Sequence, residues 1–577
     1  MQDISPPGLH GDCYVQDIFV QDIYVRDMLY ALTIRSPVAK GVLVSIDSPR
    51  LPEGYAIISA KDIPGENRLA GSPMPIFADA RLSYKGEPVA LLFGADKLKL
   101  HEIFSQVKVV AEETEPFFAY TTAGGDDARV IAKRTLQSGD TAAAFESAAQ
   151  IIENEYDTGI QDHWYTEPAG AVSMYGAQGA LLVRTSTQKP DHVKLAVAQT
   201  LGISQDALEL APTILGEHSD GKLWYPSLVA CHCALASFVS KKPVRLILSR
   251  EEDFLFSPKR CESKIKIKSA VDEKGLCTAA EISVYVNLGA YGIFTDEIIE
   301  QICIGSLGCY NIENIKLDCR AVSTNTPPGG PFCGFGLSQG LFASECQAGI
   351  IAGKTKTDPV QWRVQHLKTK PNTGLIETAL SMSDYGRKWA SYELLRKSRA
   401  GAAANSDIFE WGRDGEGLRG IGMAAGFQSG LPGENGGAAV AVVEIEMDAV
   451  EYTPKVRGIW LCIDGGKILS VDEARKSAKT GAMQAAGWAA WEYLRYVQGV
   501  IDLDQYDNYK IAHAIGGLNI RFLDTASEKP KSIGELPFTC IPAAYIGAVS
   551  QAMDCHFFSI PLKKEEILES QKNKGKT

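Results

Sequence analysis

The sequence predicts an α+β protein of more than one domain, and three observations carry that prediction. Its 577 residues, 45% of them hydrophobic, are more than a single core ordinarily accommodates. Short apolar runs broken by turns fill residues 13–120, and sustained two-residue alternation in KIKIKSAV and EISVYVNLGAY marks strands further on. Segments of helical character, such as KLAVAQTLG and residues 224–240, lie between them.

From the N-terminus, MLYALTIRSP, VLVSID, YAIISAKDIPG, EPVALLFG and QVKVVAEE read as strands, with breakers at residues 62–65 and 85–88 and one helix over the sheet at residues 95–104. The polar, Gly-rich TTAGGDDAR reads as a linker, which places a boundary near residue 125. Asp140 is placed to cap a short helix before a strand ending near Tyr156. A strand ending in RTSTQKP follows, then the helix KLAVAQTLG, the helix at 224–240 and a hairpin turning at residues 272–275. Residues 325–339, NTPPGGPFCGFGLSQ, are too rich in proline and glycine for a helix or strand and read as a rigid loop. Such a loop surrounds either a ligand or another backbone, and composition leaves both open. Beyond it, residues 342–352 and the segment KTDPVQWRVQHL read as helices, the latter with proline in its first turn. VVEIEMD is a strand, residues 472–498 a helix, and QKNKGKT a disordered tail.

Charge and cysteine usage narrow the function. Lysine and arginine number 58 against 70 acidic residues, a net charge of −12, which argues against nucleic acid or an anionic membrane as an obligatory partner. The N-terminus has no basic segment followed by an apolar core, and no apolar run reaches the ~18 residues of a membrane span, so a cytoplasmic location is expected. The 13 cysteines form no CxxC pair, which predicts reduced thiols; Cys231, His232 and Cys233 read as buried small side chains. Glu217, His218 and Asp220 are adjacent in one loop and poorly placed to chelate a single ion, so no metal site is expected there.

The order NTPPG, FxGFGxxQ and then Glu345 resembles the signature loop of the large subunit of molybdenum hydroxylases, the xanthine dehydrogenase and aldehyde oxidase family. RSPVAK, KDIPG and YKGEPVALLF resemble that family's N-terminal α/β hammerhead domain. STQ at Gln188, LCIDGGKILS and KSIGELP continue the likeness in family order. The resemblance implies a hammerhead-like domain at 1–125, a first molybdopterin-binding-type domain at 126–412 and a shortened remnant of a second at 413–577. It implies hydroxylation of an N-heterocycle or an aldehyde, with Glu535 as general base. Gln188, Gly216, Gly221, Cys333 and Gly334 fall at cofactor-contacting positions, and Phe335, Leu223 and Gln301 at substrate-contacting ones. A molybdopterin-type cofactor is implied here. The [2Fe–2S] and FAD centres are expected on partner subunits, since neither a cysteine pattern for such a cluster nor a dinucleotide fingerprint occurs in this chain.

Three departures from the family pattern point to an alternative. The usual GGGFGGKE is GEHSDGKL at residues 216–223, the usual arginine of FRGFG is Cys333, and no GQG segment follows RGIGMAAGF, where the run 429–437 would mark the deletion. Side chains replace bare backbone at 217 and 218, Ser219 stands at the Phe position, and Glu217 and Asp220 add negative charge. The alternative is a non-catalytic structural or assembly subunit, or half of a split cofactor site completed by a second large subunit.

Overall fold

The computed structural model describes residues 18–574 apart from 125–126, 177–178, 217–218, 369–372, 404–417, 429–435, 449, 512–514 and 525–526. Mixed sheets with helices packed on them make the α+β fold that the sequence predicts. Leu29–Arg35, Gly41–Asp47, Ala56–Ser59, Pro88–Gly94 and Lys108–Glu113 are the expected N-terminal strands. The helix Lys97–Phe104 starts at Asp96, whose carboxylate accepts the Lys99 N–H at 2.8 Å. Sheet pairing crosses residue 125: Leu29–Arg35 lies parallel to Val244–Ile247 and antiparallel to Pro88–Gly94 in a seven-stranded sheet. The helix Tyr225–Ser240 packs on that sheet with Cys231, His232 and Cys233 buried, and the His232 ring stacks on Phe77 with Nε2 2.7 Å from Ile76 O.

The predicted hairpin is Ser263–Val271 against Cys277–Gly289, at the centre of a six-stranded sheet. Asp272 closes its turn by accepting the Lys274 and Leu276 N–H groups, and Gly275 takes φ 81°. The helix Leu337–Lys354 begins three residues inside the stretch read as loop. Gly305 and Gly340 let it cross the helix Thr295–Leu307 closely, since a Cβ on Gly340 would meet Ser306 N at 2.4 Å. Glu345, buried in its middle, accepts Arg363 Nε at 2.9 Å, the Ala425 N–H at 3.0 Å and the Tyr310 hydroxyl. One carboxylate thereby ties two helices and a strand.

A four-stranded sheet, Leu418–Phe427, Ala438–Met447, Pro454–Asp464 and Leu518–Phe522, carries the helix Leu536–Met553 on one face. The helix sits against bare backbone: a Cβ on Gly422 would meet Ala544 O at 2.2 Å, and one on Gly420 would meet Ala548 O at 2.0 Å. Gly422→Ala is therefore expected to destabilise the protein by roughly 3 kcal/mol, read as a lowered thermal midpoint, because neither partner is a side chain that can turn aside. One hydrophobic core extends from Ile152 to Ile567 and joins this sheet to the six-stranded one.

Two expectations are corrected. The helix expected over 472–498 is Val471–Ala490; the chain then turns Glu492 inward and forms the small hairpin Tyr496–Val497 with Val500–Ile501, its Gly499 at φ 81°. The first four residues of the tail expected to be disordered, 571–574, end the helix Lys564–Lys574, and 575–577 lie outside the described residues. The strand after residues 429–435, which lie outside the described residues, resumes where Gly436 bridges to Ser532. Among the described residues no helix is long and apolar enough to cross a membrane, and no group of acids, histidines and cysteines could hold a metal ion.

Candidate active site

The central loop is pinned at its start and strained near its end. Asn325 accepts the Phe117 N–H at 2.8 Å and donates to Ser83 O at 2.7 Å, while the Gly330 N–H reaches Lys259 O at 2.9 Å. The backbone then passes through positive φ at three consecutive residues, Gly334 at 97°, Phe335 at 48° and Gly336 at 107°. Gly336 has no room for a Cβ, which would meet Ile298 O at 2.8 Å. Phe335, strained into the left-handed region, meets the Phe294 ring edge-on at 5.8 Å. Its neighbour Phe332 stacks on His163 at 4.4 Å.

His163 joins three loops. Its Nδ1 lies 3.0 Å from Pro258 O and its Nε2 3.0 Å from Pro331 O, and the ring fills the space where a Cβ on Gly221 would stand. The 216–223 loop is thereby packed against the central one. Its other tie is Gln188. The Gln188 N–H donates to Lys222 O at 2.9 Å, and Gln188 Oε1 accepts the Lys222 N–H and the Tyr165 hydroxyl, each at 3.2 Å. The side-chain amide of Gln188 donates to Asp220 Oδ1 at 3.4 Å, so the amide expected at a cofactor-contacting position is turned onto an acid of this chain. Lys222 is buried over the Tyr165 ring and donates to Ser186 Oγ at 3.0 Å; burial lowers its ammonium to about 8, against the pull of Glu167 and Asp253.

Glu535 stands at the N-terminal end of the helix Leu536–Met553, where Pro537 pre-sets the first turn. Its N–H donates to Gln428 Oε1 at 3.2 Å, and its carboxyl accepts the Gly334 N–H. The last quarter of the chain and the central loop therefore meet at this carboxyl. Burial raises its proton affinity to about 7, with the Asp220 charge adding to the rise and the Gly334 N–H and the Arg260 guanidinium opposing it. Cys333, in the same cluster, is held as a thiol well above the usual range by burial, Asp220 and Glu535, so it is no nucleophile.

Of the residues singled out from sequence, Gln188, Gly221, Cys333, Gly334, Phe335 and Glu535 are joined through these contacts, with Asp220 as the common neighbour. Gly216 keeps an open left-handed turn at φ 80°, and half-buried Leu223 bonds back to Asp220 O at 3.4 Å. Gln301 stands apart on the helix Thr295–Leu307, whose Ile298 and Ile302 are the residues that face Gly336. Glu217 and His218 lie outside the described residues. Sequence reasoning missed His163, Arg260 and Gln428. The histidine within QDHWYTEP is a signal that the sequence does offer, whereas an isolated arginine or glutamine in a strand-end segment carries no local one.

Residues 125–367 match the family described as molybdopterin cofactor-binding domain, and residues 15–115 match aldehyde oxidase and xanthine dehydrogenase, a/b hammerhead domain. Nicotinate dehydrogenase large molybdopterin subunit of Eubacterium barkeri is 30% identical over 392 residues, 64% of this chain and 92% of that protein. Aldehyde oxidase 2 of Cavia porcellus is 27% identical over 364 residues, 62% of this chain but 27% of the oxidase, so the match spans about a quarter of that relative. Quinoline 2-oxidoreductase from Pseudomonas putida 86 superposes with a TM-score of 0.83 at 17% identity over 96% of each chain, a likeness of fold.

Proposed function

Because the chain belongs to the xanthine dehydrogenase and aldehyde oxidase family of molybdenum hydroxylases, we propose that it is the molybdopterin-binding subunit of a complex that hydroxylates an N-heterocycle or an aldehyde, with Glu535 as the general base. The observation that carries the reading is the Glu535 carboxyl on the Gly334 N–H, with its proton affinity raised to about 7. A base shifted to that value is available near neutral pH and still returns the proton.

The residues fit such a cofactor in three respects. Gly334 leaves bare backbone beside the base, Arg260 keeps a buried Nη2 without a hydrogen-bond partner among the described residues, and Gln188 offers an amide. Asp220 is a contrary feature, since the amide now donates to it, and the absent GQG segment is another. Gln188, Gly216, Gly221, Cys333 and Gly334 are the residues that would hold the cofactor. When bound, it supplies the two-electron chemistry of hydroxylation, and iron–sulfur and flavin groups on partner subunits would carry the electrons away. Glu535 takes the proton at its carboxylate, and Phe335, backed by Phe294, presents an aromatic face to a flat substrate.

Asp220→Asn removes the acid that helps hold the Glu535 proton. The acid limb of the kcat/KM profile is then expected to move down by about half to one pH unit. An unmoved limb would remove Asp220 from the electrostatics of the base.

The test of the function itself is molybdenum and pterin content, with turnover on N-heterocycles and aldehydes, of the protein purified anaerobically from its host with its subunits. Near-stoichiometric metal with turnover is expected. Metal that appears only with a second large subunit would instead favour a split site, the reading to which the Gln188–Asp220 bond and the absent GQG segment lean.

A further inference from the structure

The central loop has no arginine at position 333, yet a guanidinium stands directly behind it. Arg260 is 1% exposed; its Nε donates to Gln161 Oε1 at 3.1 Å and its Nη1 to Phe332 O at 3.1 Å. The charge lies 4.0 Å from the Trp488 ring centre, 4.3 Å from Phe332 and 5.1 Å from Phe538. Those contacts place it where the two loops meet, since Phe332 precedes Cys333, Phe538 lies one turn beyond Glu535, and the two rings touch at 5.6 Å.

Among the described residues the charge has no paired carboxylate. Arg363, the other arginine buried in this core, bonds to Glu345 at 2.9 Å, whereas every hydrogen-bond acceptor of Arg260 is a carbonyl or an amide, and its Nη2 has none among the described residues. Glu492 is the acid best placed to cancel it, but burial raises that carboxyl to about 8, despite donation from Gln161 and Tyr509, so it is protonated at neutral pH. The field of an unpaired buried cation acts on the acids around it, which are Asp220, Glu535 and Cys333.

We propose that Arg260 is a positioning residue for Glu535, supplying from behind the central loop the positive charge that position 333 does not. The inference rests on Glu535 being the base. The groups facing Glu535 are Asp220 from the 216–223 loop, the Cys333 thiol and Gly334 N–H from the central loop, Gln428 from the end of its strand, and Arg260. Arg260 is the cation among them, so its loss leaves the carboxylate facing Asp220 without a counter-charge.

The test compares the full chain with Arg260→Gln and Arg260→Lys, each with and without Glu535→Gln, by thermal unfolding across pH. The Glu535 proton affinity is higher in the folded than in the unfolded state, so the stability advantage conferred by Glu535→Gln grows as pH rises and levels off where the folded carboxyl is fully ionised. That plateau is expected near pH 7 in the parent and with Arg260→Lys, and about one unit higher with Arg260→Gln. An unchanged plateau with Arg260→Gln overturns the proposal. If that variant does not fold, Arg260→Lys still decides: a plateau moved up by a unit while the charge is kept would assign Arg260 a purely steric role. None of these readings needs turnover, so a Glu535→Gln enzyme that stays active would sink the assignment of the base without touching them.

Discussion

Glu535→Gln is expected to lower turnover by about a thousandfold while molybdenum content and subunit composition stay those of the parent, a loss within the roughly hundred- to ten-thousandfold range of a positioned general base. Glutamine keeps the size and can still accept the Gly334 N–H, so the loop geometry survives while the proton acceptor is lost. In the parent, activity should rise with pH through about 7 as the carboxyl ionises. Stability runs the other way. The folded carboxyl holds its proton more tightly than the unfolded one, so its contribution is fully present below the ordinary value of 4.5 and is lost as pH rises through about 7. The shift amounts to about 3 kcal/mol at most, so above pH 7 the inactive variant should be the more stable protein. A variant that is inactive and also loses its metal would show instead that Glu535 acts in cofactor retention.

The second large effect is on stability and lies away from the chemistry. Glu345→Ala is expected to cost about 4 kcal/mol, a large share of the roughly 5–15 kcal/mol by which a native protein is stable. The Arg363 guanidinium would remain buried at 3% residue exposure without its carboxylate, and the Ala425 N–H and Tyr310 hydroxyl would lose their acceptor. Chemical denaturation of the purified chain reads this directly, and a loss below 1 kcal/mol would mean that water replaces the carboxylate. In the sequence Glu345 stands as part of a loop signature, but in the fold it is an anchor, and its proximity to the central loop is through the helix they share.

What could be read from sequence was what local chemistry determines. Asp140 caps its helix, Pro359 opens another in its first turn, and the 272–275 turn closes its hairpin. What could not be read depends on partners distant in the chain. Gln188 is separated by 32 positions from the acid that claims its amide, and Arg260 by 72 from the carbonyl that orients it. The end of the helix at Ala490 was missed because its continuation is apolar and periodic; the inward turn of Glu492 depends on Gln161 and Tyr509, which no helical pattern displays.

The seven-stranded and six-stranded sheets set an order of events during synthesis. Leu29–Arg35 finds its parallel partner only when Val244–Ile247 has left the ribosome, and Gln150–Thr158 waits for Ser559–Ile560, close to the end of the chain. Pairings this distant are slow to form, and the waiting strands expose unpaired edges to other nascent chains. Heterologous production should therefore be limited by chaperone capacity and growth temperature before it is limited by cofactor supply.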